Sequence, residues 1–206
     1  MVISWYGEGC FKIQSSDFTV LTDPIDAKSG LSAPRFKANA VLKTINPFPP
    51  ILEGDGNEIM GAGEYNFGDA NIWGIPLPNE STDKFLKTAY ILEMEGMKLA
   101  FLGHISENPE PAAMERLTEE VDIVFIPGGG KPFIEQKAAA KLIKQIEPKI
   151  IIPSFFKISG LKRQSEDLKT FLGETNQKES EPQEKLTIKR KDLGEIKSTQ
   201  LVILKI

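Results

Sequence analysis

The stretch Val121–Phe156 constrains the fold more than any other part of the 206-residue chain. It opens with the apolar run VDIVFIP, breaks at Gly128–Gly130, resumes with a helical pattern and closes on KIIIPSFF. Ile134, Ala138, Leu142 and Ile146 recur at fourfold spacing, with Ala139 and Ile143 beside them. They form one apolar stripe on a helix that Pro148 stops. Runs that are apolar at nearly every position belong to strands buried on both faces, and a crossover helix between two of them favours parallel pairing. The segment is therefore predicted to be a βαβ unit. Ligands of open α/β sheets collect beyond the carboxyl ends of such strands. Those ends, Pro127–Gly130 and Pro153–Phe156, carry no side chain that marks catalysis by itself.

The rest of the composition narrows the classes of function. The length suits one domain, residues 1–206, with a substantial core. A net charge of −4 offers nothing overall to attract nucleic acid or an anionic membrane. No apolar run approaches the roughly 20 residues that span a bilayer, and MVISWYGEGC lacks the basic start and apolar stretch of a signal peptide. The lone cysteine, Cys10, excludes an internal disulfide and fits a reducing cytoplasm. The lone histidine, His104, is the tightest restriction. Zinc sites draw mainly on His and Cys, and one of each cannot supply an ordinary set.

Along the chain, Val2–Gly7, Cys10–Gln14, Phe18–Thr22 and Ala40–Lys43 read as strands, with Phe11 and Ile13 on one face. Residues 25–39 read as loop. TINPFPP holds three prolines in seven residues, so Asn46–Pro50 is predicted to be an irregular loop. Gly54–Gly63, with four glycines, is predicted to be mobile or tightly turned. Tyr65–Phe67 and Asn71–Pro76 follow as short strands. Ala89–Met94 and Lys98–Leu102 form a hairpin about the turn Glu95-Gly96. Glu110–Glu120 is predicted to be a helix with Pro111 in its first turn and Met114 and Leu117 facing inward. Ser165–Leu172 is predicted to be another, capped by Ser165. The charged segment 173–185 reads as an exposed loop, and Leu186–Arg190 and Leu201–Ile206 as strands. This order, β-rich first and βα afterwards, implies helices covering packed sheets.

Seven short segments then carry a resemblance: GEGCF at Gly7–Phe11, TDP at Thr22–Pro24, VLKTINPFPP at Val41–Pro50, GEY at Gly63–Tyr65, FLGH at Phe101–His104, IPGGG at Ile126–Gly130 and IPSFF at Ile152–Phe156. In this order the chain resembles the metallo-β-lactamase-fold hydrolases, in the branch of the ascorbate-6-phosphate lactonases. The resemblance implies an α/β fold, an αβ/βα sandwich of two mixed sheets with outer helices. It also implies a zinc site at the edge between the sheets, where the metal activates water. The family's ligand motif, Thr-His-x-His-x-Asp-His, falls on Thr44–Pro50. Ile45 and Pro47 stand at its first two histidines, and Pro49 and Pro50 at its Asp-His pair. Phe155 stands at the last histidine, His104 at the bridging aspartate and Glu8 at an early histidine. No metal and no cofactor are predicted, because isoleucine, proline and phenylalanine side chains offer no lone pair. Glu8, Asp23, Ile45, Pro47, Pro49, Pro50, His104 and Phe155 are predicted to mark a vestigial site.

Each candidate also has a plain reading. Asp23 would support the metal loop in the family, and otherwise closes an Asp-Pro turn. Glu8 is a base or a turn residue, and His104 a functional group or a hydrogen-bonded loop residue. Glu64 and Tyr65 suit a strand start. Cys10 reads as a small buried hydrophobe. Gly128–Gly130 before a helix could bind an anion through backbone N–H groups, although such turns also occur without ligands. Lys157, Lys162 and Arg163, with Lys189–Lys191, form a basic patch that Glu166, Asp167 and Asp192 interrupt, so a solvated surface is expected. Three functions remain open. The preferred one is a non-catalytic binding or scaffolding domain whose partner is a protein or a small apolar ligand. The second is a hydrolase rebuilt on Asp23, Glu64 or Glu107 with Mg²⁺ or Mn²⁺. The third is an unrelated α/β ligand-binding domain.

Overall fold

A computed structural model describes residues 1–51 and 56–206. Two sheets face each other. The first contains β1 (Val2–Trp5), β2 (Phe11–Ser15), β3 (Phe18–Thr22), β4 (Ala40–Lys43), β6 (Glu58–Met60) and β13 (Lys185–Thr187), in the order β13-β1-β2-β3-β4-β6. The second runs β14-β12-β11-β10-β9-β8-β7. Its strands are β7 (Gly63–Phe67), β8 (Ala70–Pro76), β9 (Phe85–Met94), β10 (Met97–Phe101), β11 (Ile123–Pro127), β12 (Ile150–Ser154) and β14 (Gln200–Leu201). A further short strand, β5 (Ile45–Pro47), pairs with the start of β9. Both sheets are mixed: β3-β4-β6 and β10-β11-β12-β14 pair in parallel, and the hairpins are antiparallel.

Strand alternation explains the first sheet. Ile3, Trp5, Phe11 and Ile13 are buried while Val2, Ser4, Lys12 and Gln14 are half-covered, the period-two pattern of a sheet with one face on the core. β11 and β12 are buried at every position, as their continuous apolar runs require. The sheets meet through aromatic rings: Phe11 of β2 lies edge-on to Phe125 of β11 at 4.7 Å, and Phe125 stacks on Phe101 of β10 at 4.4 Å. Trp5 stacks on Phe156 just beyond β12, at 4.7 Å. Such pairs contribute about 0.5–1.5 kcal/mol beyond the area they bury.

The predicted βαβ unit is present. Helix α2 (Gln136–Ile146) buries Ala139, Leu142, Ile143 and Ile146, and β11 and β12 are parallel neighbours, with Phe125 opposite Ile152. Ile134 lies before the helix, fully buried. The hairpin turn Glu95-Gly96 has positive φ at both residues, 53° and 69°, the geometry that matches the twist of flanking strands. Helix α1 (Pro111–Leu117) packs against β8 and buries Ala113 and Leu117, while Met114 is only partly covered.

Other expectations give way to tertiary structure. Asn46 and Pro47 are not irregular loop, because β5 pairs Ile45, Asn46 and Pro47 with Lys87, Leu86 and Phe85. Proline is tolerated there because β5 is an edge strand that pairs with β9 alone. Gly54–Gly63 includes β6, although its first two residues lie outside those described. Ser165 caps no helix. Helix α3 spans Lys169–Thr175, because Lys157 N–H donates to Glu166 O and Glu166 N–H to Gly129 O, holding the chain extended. Arg190 opens a six-residue helix, α4 (Arg190–Glu195), with one buried residue, Leu193, too little to show a period. The final strand is only Gln200–Leu201, followed by an isolated bridge from Leu204 to Gln183. No helix among the described residues is long and apolar enough to cross a membrane.

Cys10 is fully buried with Leu21 and Val41 in a small cluster. Burial, with Asp23 nearby, pushes its thiol up to about 12 against a hydrogen bond from the Ile25 backbone. At pH 8 the thiolate is then on the order of one molecule in ten thousand, where a free cysteine is about a quarter ionised. A disulfide reagent is therefore expected to label native protein at least a hundredfold (order of magnitude) more slowly than denatured protein. Equal rates would show that the thiol is accessible.

Candidate functional site

Four strand ends and β5 converge on one cavity of about 600 Å³ between the sheets. Glu8 comes from the β1–β2 turn, Asp23 follows β3, Ile45 lies in β5, His104 follows β10 and Phe155 follows β12. Three of these hold left-handed backbone without being glycine: Glu8 at φ 52°, Asp23 at 34° and Phe155 at 55°. That conformation is unfavourable for a bulky side chain and persists only where the surroundings over-determine it. Pro47, Pro49 and Pro50 are exposed and do not line the cavity. The β5–β9 pairing carries the chain away after Asn46, so these three are not part of the assembled group.

Thr44 links the polar groups. Its N–H donates to Asp23 Oδ1 at 2.7 Å, and its hydroxyl lies 2.7 Å from both Asp23 Oδ2 and His104 Nδ1. Threonine has one hydroxyl proton. An ionised Asp23 takes that proton as a hydrogen bond, so His104 Nδ1 must donate to Thr44 Oγ1. Burial raises the Asp23 pKa, opposed by His104 and by the two Thr44 hydrogen bonds. Burial also lowers that of His104, opposed mainly by Asp23, so the imidazole is held neutral. Gly103, at φ +51°, makes this approach possible, because a Cβ there would collide with the Thr44 side chain.

Glu8 is committed as well. Arg163 Nε and Nη2 donate to Glu8 Oε2 at 3.1 and 3.0 Å, and Nη2 also donates to the Phe155 carbonyl at 2.8 Å. The guanidinium sits 4.9 Å from the centroid of Phe133. Phe155 in turn packs 4.3 Å from Phe133 and 4.9 Å from His104, ring to ring. Its ring fills the space over Gly9, where a Cβ would lie 2.6 Å from Cζ and 2.7 Å from Asp23 Oδ2. The cavity wall is thus an aromatic and cationic cluster closing over a hydrogen-bonded Asp–Thr–His chain.

Arg163, Phe133 and Thr44 were not among the sequence candidates for this site. Arg163 and Glu8 are 155 residues apart, and no local pattern joins them. Thr44 is the first residue of the ligand motif, whose metal-binding positions all follow it. The rebuilt carboxylate site does not assemble: Asp23, Glu64 and Glu107 line three different cavities, and Glu64 is exposed and paired with Arg116. The glycine turn Gly128–Gly130 does not open a helix either, since α2 begins at Gln136.

A family model for the beta-lactamase superfamily domain matches residues 2–154. The chain belongs to the beta-lactamase superfamily. Solved structures agree with this assignment. A Thermotoga maritima protein of the metallo-β-lactamase superfamily, provisionally described as a Zn-dependent hydrolase, superposes with a TM-score of 0.79 at 25% identity, covering 98% of this chain and 97% of its own. The metallo hydrolase Igni18 of the archaeon Ignicoccus hospitalis gives 0.64 at 15% identity, with 99% and 94% covered. The metallo-β-lactamase fold protein YhfI of Bacillus subtilis gives 0.57 at 10%, with 99% and 95% covered. The last two share the fold alone. No curated protein matches the sequence significantly.

Membership in this superfamily implies a metal, and the residues present do not fit one. Zinc takes about three protein ligands with a water, or four without. Among the described residues no three His, Cys, Asp or Glu side chains are grouped to hold an ion. Glu8 is neutralised by Arg163, both oxygens of Asp23 accept from Thr44, and Nδ1 of His104 is engaged. The Arg163 guanidinium 3.0 Å from Glu8 opposes a divalent cation there, and Asp26, the other carboxylate lining the cavity, accepts from the Lys28 N–H.

Proposed function

We propose that this superfamily member does not hydrolyse substrates through its inter-sheet cavity and serves as a binding domain. The observation that carries the reading is the occupation of the cavity floor by Phe155, locked by Phe133, His104 and the Arg163–Glu8 pair. A buried aromatic ring where the family resemblance sets a metal ligand removes the charge and the lone pair that a hydrolytic ion needs. The remaining volume, about 600 Å³, falls in the range of small-molecule sites, roughly 300–1,000 Å³. Ile25, Ile45 and Leu161 give it apolar walls. A small apolar ligand or an apolar side chain of a partner protein fits these surroundings, and the compartment consistent with the free thiol is the cytoplasm.

A ligand of the native state raises the melting temperature in proportion to the logarithm of its saturation. Millimolar Zn²⁺, Mn²⁺ or Mg²⁺ is accordingly expected to leave the unfolding midpoint unchanged. A rise with Zn²⁺ that disappears in Asp23→Ala and His104→Ala variants would overturn the reading.

A further inference from the structure

The carboxyl ends of β11 and β12 build a second cavity, of about 550 Å³, beside the first. Lys131 lies just beyond β11 and its glycine turn, and Lys157 just beyond β12; Lys162 and Arg163 come from the loop that follows. Backbone hydrogen bonds hold these segments together. Lys157 N–H donates to Glu166 O at 2.9 Å, Glu166 N–H to Gly129 O at 3.0 Å, and Lys162 N–H to Ser29 O at 2.8 Å. The wall is therefore anchored to the sheet at the place where adjacent parallel strands release their chains, which favours ligands in α/β folds.

Its charge is lopsided in a chain whose net charge is −4. Four cations line the cavity and Glu166 is its one carboxylate. Glu166 does not neutralise them. Its carboxylate lies against Gly130, where a Cβ would stand 3.1 Å from either oxygen, and it forms no ion pair among the described residues. Arg163 is already spoken for by Glu8. Lys131, Lys157 and Lys162 enter no ion pair among the described residues. In the same wall, Ser165 Oγ is buried without a hydrogen-bond partner. Like charges collected in one concavity repel each other, and a multivalent anion converts that repulsion into attraction.

We propose that this basic cavity binds a small multivalent anion, of the phosphate or polycarboxylate class, through Lys131, Lys157 and Lys162. The site shares Lys162 and Arg163 with the inter-sheet cavity, but Lys131 and Lys157 lie outside that cavity, and the proposal does not rest on its function. Titration of the ¹⁵N-labelled protein with pyrophosphate and with citrate is expected to give saturable binding. The shifted amides should cluster at residues 129–131 and 157–166, and affinity should fall as salt rises. Lys157→Gln with Lys162→Gln should weaken binding by about tenfold or more, while acetate should not saturate. Binding of pyrophosphate alone would narrow the class to phosphates, and binding of both would leave it as polyanions. Absence of saturation at millimolar anion, unchanged affinity in the double variant, or shifts centred elsewhere would overturn the proposal. A single-stranded oligonucleotide that binds more tightly than pyrophosphate would also overturn it.

Discussion

Replacing Glu80 with alanine is expected to destabilise the protein by about 3–5 kcal/mol, the cost of leaving a buried partner charge uncompensated. The Glu80 side chain is 4% exposed and that of Lys87 12%. Glu80 Oε2 accepts from Lys87 Nζ at 2.8 Å and from the N–H and the hydroxyl of Ser106, each at 2.6 Å. Together these contacts clamp the turn Pro78–Glu80 and strand β9 to the loop that carries His104. Removal of the carboxylate strands an ammonium group and a backbone donor together. For a chain of this size the loss corresponds to a fall in melting temperature of roughly 10 °C. Pairing Glu80→Leu with Lys87→Met should recover part of it, because deleting both charges spares the desolvation of one. A single-variant loss below about 1 kcal/mol by urea denaturation, the level of an exposed pair, would show that the clamp is solvated.

Phe155→Ala is expected to cost about 3–5 kcal/mol, the usual range for truncating a buried phenylalanine. The residue is 2% exposed, its ring meets Phe133 and His104, and it closes the gap over Gly9. The backbone cannot collapse freely into the space, because Arg163 and Glu8 pin the Phe155 carbonyl and amide. The urea midpoint should therefore fall while the slope stays constant, since native and unfolded surface areas change little. A loss under about 1 kcal/mol would mean that the site repacks readily, against the range for buried rings. It would remove the basis for treating the ring as a fixed floor.

The elements legible in the sequence are those whose signal is local. β11, α2 and β12 announce themselves through unbroken apolar runs and a stripe of fourfold spacing, and the Glu95-Gly96 turn through its one glycine. β5 escaped because its strand character comes from Leu86 and Lys87, some forty residues away, and outweighs the proline pattern. Helix α4 escaped because Leu193 is its one buried residue. The site followed the same division. The ordered segments ending at Glu8, Asp23, Ile45, His104 and Phe155 led to one cavity, since each is a strand end or lies next to one. The prolines at 47, 49 and 50 did not belong, because a motif read by position cannot show where the chain turns away. Arg163 looks in sequence like part of a solvated patch, because its carboxylate partner Glu8 lies 155 residues earlier. Glu80 gave no signal at all, since its burial depends on Lys87 of β9 and on Ser106 of the loop after β10.

Metal content measured together with hydrolysis tests the proposed function most directly. Protein purified without added zinc should be analysed for zinc, manganese and iron, and screened against esters, lactones and phosphodiesters, with His104→Ala and Asp23→Ala alongside. The expected result is metal far below one equivalent and turnover no greater than that of either variant. Stoichiometric zinc, with activity that disappears when His104 or Asp23 is replaced, would contradict it and assign this chain to the hydrolases of its superfamily.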